Sequence, residues 1–406
     1  MGNVPKLRFE GFTDEWERRK LKNVAESFEY GLNVPAKEFD GVNKYLRITD
    51  IDDSSRIFRN DELTSPDTDL SLANNYRLHE GDILFARTGA SVGKSFIYRA
   101  SDGQVYFAGF LIRARIRPEY RAEFVFQNTF TAQYEKYIQI TSQRSGQPGV
   151  NAQEYGEYKF LIPEYSEQKK IGDFLHQLDN LITLYQRKYK ALETAKRFYL
   201  QNMFPQKGET KPRLRFAGFS GDWEQRKFSE FTRTSGKRNK NGLNLEPYAI
   251  TSEHGFIPQS EAHDEFGYMK DTDRSAYNIV SPNSFGYNPA RINIGSIGYY
   301  AGSEDVIVSS LYEIFQTAEE INDSFLSCYF STTEFMNWIQ RLQEGSVRLY
   351  FYYDKLCECR TLMPSFEEQQ VIASFHNELD RLIILYNRKL EALKTTKKFL
   401  LQNMFV

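Results

Sequence analysis

The chain of 406 residues is 40% hydrophobic and 26% charged, and its formal net charge is −2. This composition is typical of a globular protein with two or three domains. It excludes a surface that is basic throughout, which a free-standing nucleic-acid-binding protein usually has. The three cysteines argue against a disulfide framework, and the lack of a long apolar run argues against a membrane span. We therefore expect a cytoplasmic protein without membrane association.

The first segment with a recognisable pattern is PKLRFEGFTDEWERRK, residues 5–20. It returns as PRLRFAGFSGDWEQRK at residues 212–227, displaced by 212 − 5 = 207 positions. A second block, residues 160–204, returns at residues 361–405, displaced by 361 − 160 = 201 positions. Two such blocks in the same order indicate that the chain contains one structural unit twice.

The segments between these blocks differ in the two copies. Residues 81–98, GDILFARTGASVGKSFIY, predict a strand, a glycine-rich turn and a strand. Residues 281–300, SPNSFGYNPARINIGSIGYY, predict the same order with few identical residues. The blocks at the two ends of each copy are therefore duplicated, while the segments between them diverge in sequence. This pattern predicts a protein that needs one scaffold twice and reads two different targets.

The second block of each copy has apolar residues at spacings of three and four, which predict a long helix with a coiled-coil-like stripe. We expect globular segments at residues 1–164 and 205–364, and long helices at residues 165–204 and 365–406. The stripe, which we expect to bind a partner helix or subunit, contains Ile171, Leu178, Tyr185, Leu192, Ile372, Leu379, Tyr386 and Leu393. Two arrangements are open: the helices pair antiparallel, or each packs on its own globular segment.

The blocks PKLRFEGF, GDILFARTGASVGK, IPEYSEQKKIGDFL, LYQRK and QNMF, followed by a second set, together resemble the specificity subunit of a type I restriction-modification system. The resemblance covers essentially the whole chain. It implies an α+β fold with a pseudo-twofold internal repeat. Two globular, mixed α/β target recognition domains would be separated by two long antiparallel helices that form a coiled coil.

The resemblance also implies a function. Each target recognition domain would read one half of a bipartite, asymmetric DNA site, and the chain itself would have no catalytic centre and no cofactor. Its partners would be double-stranded DNA, two modification subunits and the restriction subunits. The modification subunits bind S-adenosylmethionine and methylate adenine, and the restriction subunits use ATP and Mg²⁺ to translocate and cleave DNA.

Polar, glycine-containing segments lie at corresponding places in the two copies, and we predict DNA contacts there. Arg, Asn, Gln, Ser and Thr read base edges, and Lys and Arg bind phosphates. The candidates in the first copy are Arg87, Thr88, Ser91, Lys94, Gln143, Arg144, Ser145, Gln147 and Asn151. Those in the second copy are Tyr287, Asn288, Arg291, Asn293, Ser346 and Arg348, together with Lys237, Arg238 and Lys240 of a basic, turn-rich run that would anchor phosphates. The alternative for each segment is a solvated loop.

Two other classes of function stay open. One is an enzyme, since residues 89–95 resemble a P-loop and residues 287–291 resemble the Asn-Pro-Pro-aromatic motif of amino-methyltransferases. The first has three residues between its glycines where a P-loop has four, and the second lacks the second proline and the aromatic residue. The other class is a scaffold that joins proteins through its helices. The five histidines show no metal-ligand spacing, so we predict no metal site.

Overall fold

A computed structural model describes residues 3–53, 55–143, 146–262 and 274–406. The chain divides into two compact units. Unit 1 consists of Met1–Lys188 together with Tyr386–Val406, and unit 2 consists of Tyr189–Leu385. The units are not consecutive segments, because each contains the last part of a long helix whose first part belongs to the other unit.

Unit 1 contains short strands, short helices and the start of one long helix. The strands are β1 (Glu17–Lys20), β2 (Ala25–Tyr30), β3 (Ala36–Glu38), β4 (Lys44–Leu46), β5 (Thr64–Pro66), β6 (Ile83–Ala86), β7 (Ser95–Ile97), β8 (Val105–Phe107), β9 (Leu111–Ile116) and β10 (Lys159–Ile162). The helices are α1 (Leu21–Val24), α2 (Ala122–Asn128), α3 (Ala132–Thr141), α4 (Ala152–Glu157) and the long α5 (Tyr165–Asn202).

The main sheet of unit 1 is antiparallel and has the strand order β2-β9-β6-β7. Strand β6 lies inside it, and all its residues are buried. Side chains alternate between the two faces of a strand. Accordingly, Ile83 and Phe85 join one apolar core, and Leu84 and Ala86 join another. Smaller sheets pair β1 with β10, β3 with β5, and β4 with β8.

Unit 2 repeats this plan. Its strands are β11 (Glu224–Lys227), β12 (Thr232–Thr234), β13 (Lys237–Arg238), β14 (Tyr248–Thr251), β15 (Gly255–Pro258), β16 (Asn278–Val280), β17 (Ser284–Tyr287), β18 (Ile297–Tyr300), β19 (Val306–Val308), β20 (Glu313–Thr317) and β21 (Arg360–Met363). Its helices are α6 (Phe228–Phe231), α7 (Gln259–Ala262), α8 (Asp323–Tyr329), α9 (Thr333–Leu342), α10 (Tyr353–Glu358) and the long α11 (Phe366–Met404). The main sheet has the order β12-β20-β17-β18, and smaller sheets are β13-β16-β19, β11-β21 and β14-β15.

Within unit 1, the first part of α5 lies beside the last part of α11. The rings of Tyr185 and Tyr386 have their centroids 5.6 Å apart. Further along, the Lys397 ammonium lies 2.6 Å from the Asp179 carboxylate. Residue numbers fall along α5 while they rise along α11, so the two segments are antiparallel.

Within unit 2, the last part of α5 lies beside the first part of α11 in the same sense. Tyr199 meets Phe375 edge-on, with ring centroids 4.8 Å apart, and Lys196 forms an ion pair with Asp380. The prediction of an α+β fold with mixed α/β domains and long antiparallel helices is confirmed.

The QNMF ends of the two long helices fill the cores of the units. In unit 1, the ring of Phe405 packs on Trp16, with centroids 6.3 Å apart, and on Phe124, with centroids 5.1 Å apart. In unit 2, Phe204 packs on Trp223 in the same way, with centroids 6.1 Å apart. The repeated tryptophan and the repeated phenylalanine are therefore partners in one core.

Candidate nucleic-acid interface

Two loops of unit 1 that contain predicted DNA contacts lie side by side. Loop A1, residues 87–94, connects β6 to β7, and loop B1, residues 142–151, connects α3 to α4. The Gly89 amide donates to the Pro148 carbonyl at 3.0 Å. The Val150 amide donates to the Arg87 carbonyl at 2.9 Å. Main-chain bonds therefore combine two segments that are distant in sequence into one surface.

Loop A1 presents three of its predicted contacts near the surface. The Arg87 guanidinium lies over the ring of Tyr30, 5.0 Å from its centroid, which orients the cation. Thr88 is bridged to Gly149 of loop B1. Arg87, Thr88 and Ser91 are each half-buried, so part of each side chain can reach a ligand.

Lys94, the last residue of loop A1, points inward. It is 8% exposed, it forms an ion pair with Asp53, and its ammonium donates to the Ile51 carbonyl at 3.2 Å. Both partners come from a segment far away in sequence. The prediction that Lys94 contacts DNA is therefore wrong.

Loop B1 presents amide side chains. Gln143, Gln147 and Asn151 are exposed. The Asn151 side-chain oxygen accepts from the Glu154 amide at 2.9 Å, so it caps α4. The side-chain nitrogen of Asn151 takes no part in that bond. The predicted contacts Arg144 and Ser145 lie outside the described residues.

Unit 2 contains a second pair of loops at the corresponding place. Loop A2, residues 288–296, connects β17 to β18, and loop B2, residues 343–352, connects α9 to α10. The Phe351 amide donates to the Pro289 carbonyl at 3.0 Å. This bond corresponds to the one that Val150 makes in unit 1, since Val150 and Phe351 both lie two residues before the following short helix.

The side chains on the unit 2 loops differ from those of unit 1. Arg291 and Asn293 of loop A2 and Ser346 and Arg348 of loop B2 are exposed. The Asn288 side-chain oxygen accepts from the Ala290 amide at 3.0 Å and shapes the turn. Guanidinium groups predominate here, whereas amide groups predominate in loop B1.

Tyr287 lies beneath loop A2 as the last residue of β17. It is 0% exposed, and its ring centroid is 6.3 Å from that of Phe315 and 6.4 Å from that of Phe351. Burial raises the pKa of this phenol well above its usual value. Because the strand continues through Tyr287, the residue belongs to the core, and its prediction as a DNA contact is wrong.

The basic run of the second copy lies on another sheet. Lys237 and Arg238 form β13, which pairs with β16, whereas loop A2 extends from the sheet that contains β17 and β18. The side chains of Lys237, Arg238 and Lys240 are exposed. The Arg238 guanidinium donates to the Ala276 carbonyl.

The predicted helix stripe divides into two sets. Ile171 and Ile372 are 1% and 2% exposed and lie in cores to which the end of the other long helix contributes, so neither is accessible to a partner subunit. Leu178 and Leu379 are also buried. The remaining members are Tyr185 and Tyr386, which contact each other, Leu393, which packs against the unit 1 core, and the half-buried Leu192. Both arrangements left open by the sequence therefore occur.

Phe174 and Leu181 share the helical spacing of the predicted stripe and are exposed. Other exposed apolar side chains on the long helices were not predicted; they are Tyr165, Leu184, Phe198, Phe366, Val371, Ile384, Leu385 and Phe399. At the tip of loop B2, Val347 is 97% exposed and was also missed. A search for hydrogen-bonding side chains overlooks such residues, and only their position on a helix face or loop tip could have indicated them.

The described residues contain no group of three or more His, Cys, Asp or Glu side chains that could hold a metal ion. Burial raises the pKa of the Cys328 thiol to about 12, which keeps this thiol protonated. No helix in the described part of the chain has the length and apolar character needed to cross a membrane.

Known proteins resemble this chain in sequence and fold. The family model of the type I restriction modification DNA specificity domain matches residues 13–194. A putative type I restriction enzyme MjaX specificity subunit of Methanocaldococcus jannaschii is 26% identical over 217 residues. The match covers 50% of this chain and 48% of that protein, so the chain spans about half the length of the curated relative.

A similar fold occurs in the crystal structure of a type I restriction-modification system S subunit from M. genitalium. The TM-score is 0.66, and the match covers 99% of both chains at 13% sequence identity. At this identity the likeness concerns the fold alone.

Proposed function

We propose that the chain is the DNA-recognition subunit of a type I restriction-modification complex; the match of the type I restriction modification DNA specificity domain model to residues 13–194 supports this. Loops A1 and B1 read one half of a bipartite, asymmetric DNA site, and loops A2 and B2 read the other half. One observation carries the proposal: main-chain hydrogen bonding, with two bonds in unit 1 and one in unit 2, joins two polar loops at the same place in both units.

The side chains on these loops suit the reading of bases. Amide groups pair with two atoms of adenine, and guanidinium groups pair with two atoms of guanine, in the major groove. Unit 1 offers Gln143, Gln147 and Asn151, whereas unit 2 offers Arg291, Asn293 and Arg348. Matching frames with different side chains support a site whose halves differ in sequence.

The net charge of −2 indicates that this chain supplies only part of the affinity for DNA. We propose that two modification subunits and the restriction subunits add phosphate contacts. These subunits also hold S-adenosylmethionine, ATP and Mg²⁺ and carry out all catalysis. Exposed Leu181 and Leu184 in unit 1 and Ile384 in unit 2 support docking of such subunits on the long helices. The complex acts on cytoplasmic DNA.

The test is to co-express the chain with its modification subunit and to map methylated adenines in cellular DNA. We expect one bipartite motif with methyladenine in both halves. Replacing Arg291 and Arg348 by alanine should relax the motif in one half only. Arg213→Ala changes an exposed arginine of unit 2 that pairs with Glu209 outside the loops and the long helices, and it serves as the matched control. Random methylation by the unaltered complex, or relaxation of both halves, contradicts the proposal.

A further inference from the structure

Main-chain hydrogen bonds connect the two ends of loop A1, and we call this closed part the loop base. The Ala86 amide donates to the Lys94 carbonyl at 2.8 Å, and the Gly93 amide donates to the Ala86 carbonyl at 3.0 Å. Gly93 has a φ of +83°, and a Cβ at this position would lie 2.5 Å from the Ile138 side chain. The base therefore fits tightly against α3.

Two buried tyrosines form hydrogen bonds with the main chain of the loop base. The Tyr155 hydroxyl donates to the Ala86 carbonyl at 2.6 Å and accepts from the Gly93 amide at 3.1 Å. The Tyr134 hydroxyl donates to the Gly93 carbonyl at 2.9 Å. Both main-chain polar groups of Gly93, its amide and its carbonyl, are thus bound by phenols.

The two hydroxyls are protonated and fixed in place. Tyr134 is 2% exposed and Tyr155 is 0% exposed, and burial raises the pKa of both phenols, so they remain donors. The Tyr155 ring stacks on Phe85 of β6 with centroids 4.7 Å apart. Tyr134 belongs to the first turn of α3, whose N-cap Thr131 accepts from its amide. Helices α3 and α4, which flank loop B1, therefore also position loop A1.

Unit 2 lacks these hydroxyls at the equivalent positions. The N-cap Thr332 of α9 accepts from the Phe335 amide as Thr131 does from Tyr134, so Phe335 replaces Tyr134. The carbonyl of Leu356 accepts the C-cap amide of α10 as Tyr155 does in α4, so Leu356 replaces Tyr155. Loop A2 is held instead through Ser296, whose hydroxyl donates to the Ile250 carbonyl at 2.8 Å.

We propose that Tyr134 and Tyr155 are positioning residues that fix loop A1 before DNA binds and thereby set specificity at the half-site read by unit 1. This inference rests on the proposed function. A loop that is already ordered loses less conformational entropy on binding. An ordered loop also fixes the positions of its hydrogen-bond donors, so that a mismatched base cannot form the same hydrogen bonds. These tyrosine hydroxyls are present in unit 1 and absent at the equivalent positions of unit 2, so the two half-sites are read by loops of different rigidity.

The first test measures amide hydrogen exchange of the purified chain and of Tyr155→Phe and Tyr134→Phe. We expect exchange in loop A1 to become about tenfold faster in each variant. Tyr134→Phe removes the donor to the Gly93 carbonyl, and Tyr155→Phe removes one of the two bonds of the Gly93 amide and of the Ala86 carbonyl. The control is Tyr158→Phe. This tyrosine is 3% exposed and bonds to Asn128 at 2.7 Å. Unchanged exchange in loop A1 in Tyr155→Phe and Tyr134→Phe overturns the inference.

The second test uses the complete methylating complex and oligonucleotides with one base changed in either half of its mapped site. Tyr155→Phe should lower discrimination about tenfold in one half and leave the other half unchanged. Tyr158→Phe should discriminate like the unaltered chain. Tyr134→Phe repeats the test if Tyr155→Phe fails to fold. Equal loss in both halves, or no loss, contradicts the inference. If the unaltered complex shows no sequence preference, the proposed function fails, while hydrogen exchange still tests the hold on the loop.

Discussion

The guanidinium of Arg8 donates two hydrogen bonds, each 2.7 Å long, to the carboxylate of Glu167 at the start of α5. In unit 2, Arg215 and Glu368 form the same pair with the same two distances. The Trp16 indole adds a third donor to Glu167 at 3.2 Å. The two repeated sequence blocks are therefore halves of one contact, which joins each long helix to the segment that precedes the first strand of its unit.

Arg8→Met should destabilise unit 1. Glu167 is 0% exposed on its side chain, and a buried carboxylate without its charged donor costs about 2 kcal/mol of unfolding free energy. Urea denaturation followed by tryptophan fluorescence measures the loss. Arg381→Met removes an exposed arginine and should leave the unfolding midpoint unchanged. A midpoint shift of equal size in both variants contradicts a special role for Arg8.

His376 should make the stability of unit 2 depend on pH. The residue is 0% exposed, and neither ring nitrogen has a hydrogen-bond partner among the described residues. Burial lowers its pKa from 6.5 to about 4, with Lys196 lowering it further and Asp380 opposing the shift. The unfolded chain therefore binds a proton first as the pH falls. The free energy of unfolding should decrease between about pH 6.5 and about pH 4, by up to roughly 3 kcal/mol.

His376→Leu should remove this part of the pH dependence. Leu175 occupies the equivalent position in unit 1 and is 0% exposed, so the leucine side chain suits this site. Thermal unfolding at pH 7.5 and pH 5 compares the two proteins. We expect the difference in melting temperature between the two pH values to be smaller in His376→Leu. An identical difference in both proteins would show that other groups cause the acid sensitivity.

Val347 should contribute to DNA binding through its apolar surface. It lies at the tip of loop B2, whose base is closed by Glu344 and Tyr350 through reciprocal main-chain bonds of 2.9 and 2.8 Å. Exposed apolar loop tips can pack on the thymine methyl group in the major groove. Val347→Ser should weaken specific binding by the methylating complex about fivefold in a gel-shift assay, with the half read by unit 1 unaffected. Leu72→Ser, at an 82% exposed leucine of unit 1 outside the loops, serves as the control.

The repeated blocks were sufficient to predict the fold, because they combine a helical period with signals that recur in the same order. The exchange of helix ends was not predictable. The QNMF segments show that Phe204 and Phe405 are apolar, but only the structure shows which unit each one fills.

The placement of the loops was predicted in part. Polar residues at corresponding positions indicated two segments of unit 1 as candidates, and the main-chain bonds between loops A1 and B1 bring these segments together. The burial of Lys94 depends on Asp53, and that of Tyr287 depends on Phe315 and Phe351. These partners are distant in sequence, and a local pattern cannot reveal them. The same holds for Tyr134 and Tyr155 beneath loop A1.

Gly93→Ala should separate steric crowding from backbone strain when it is compared with Gly208→Ala. Both glycines have a similar positive φ, +83° and +86°. An added Cβ at Gly93 would lie 2.5 Å from Ile138, whereas at Gly208 no heavy atom of the described residues beyond the two chain neighbours would lie within 4 Å. Strain alone costs about 1 kcal/mol at each site, and overpacking adds about 2 kcal/mol at Gly93. The unfolding free energy should therefore fall by about 3 kcal/mol in Gly93→Ala and by about 1 kcal/mol in Gly208→Ala.

Ile138→Ala tests the steric part directly. Removing the Ile138 side chain makes room for the new methyl group, so Gly93→Ala should cost less in the Ile138→Ala background than in the unaltered chain. The cost of Gly208→Ala should be the same in both backgrounds, since that residue has no contact with Ile138. If Gly93→Ala is equally costly with and without Ile138, crowding against α3 is not what requires glycine at the base of loop A1.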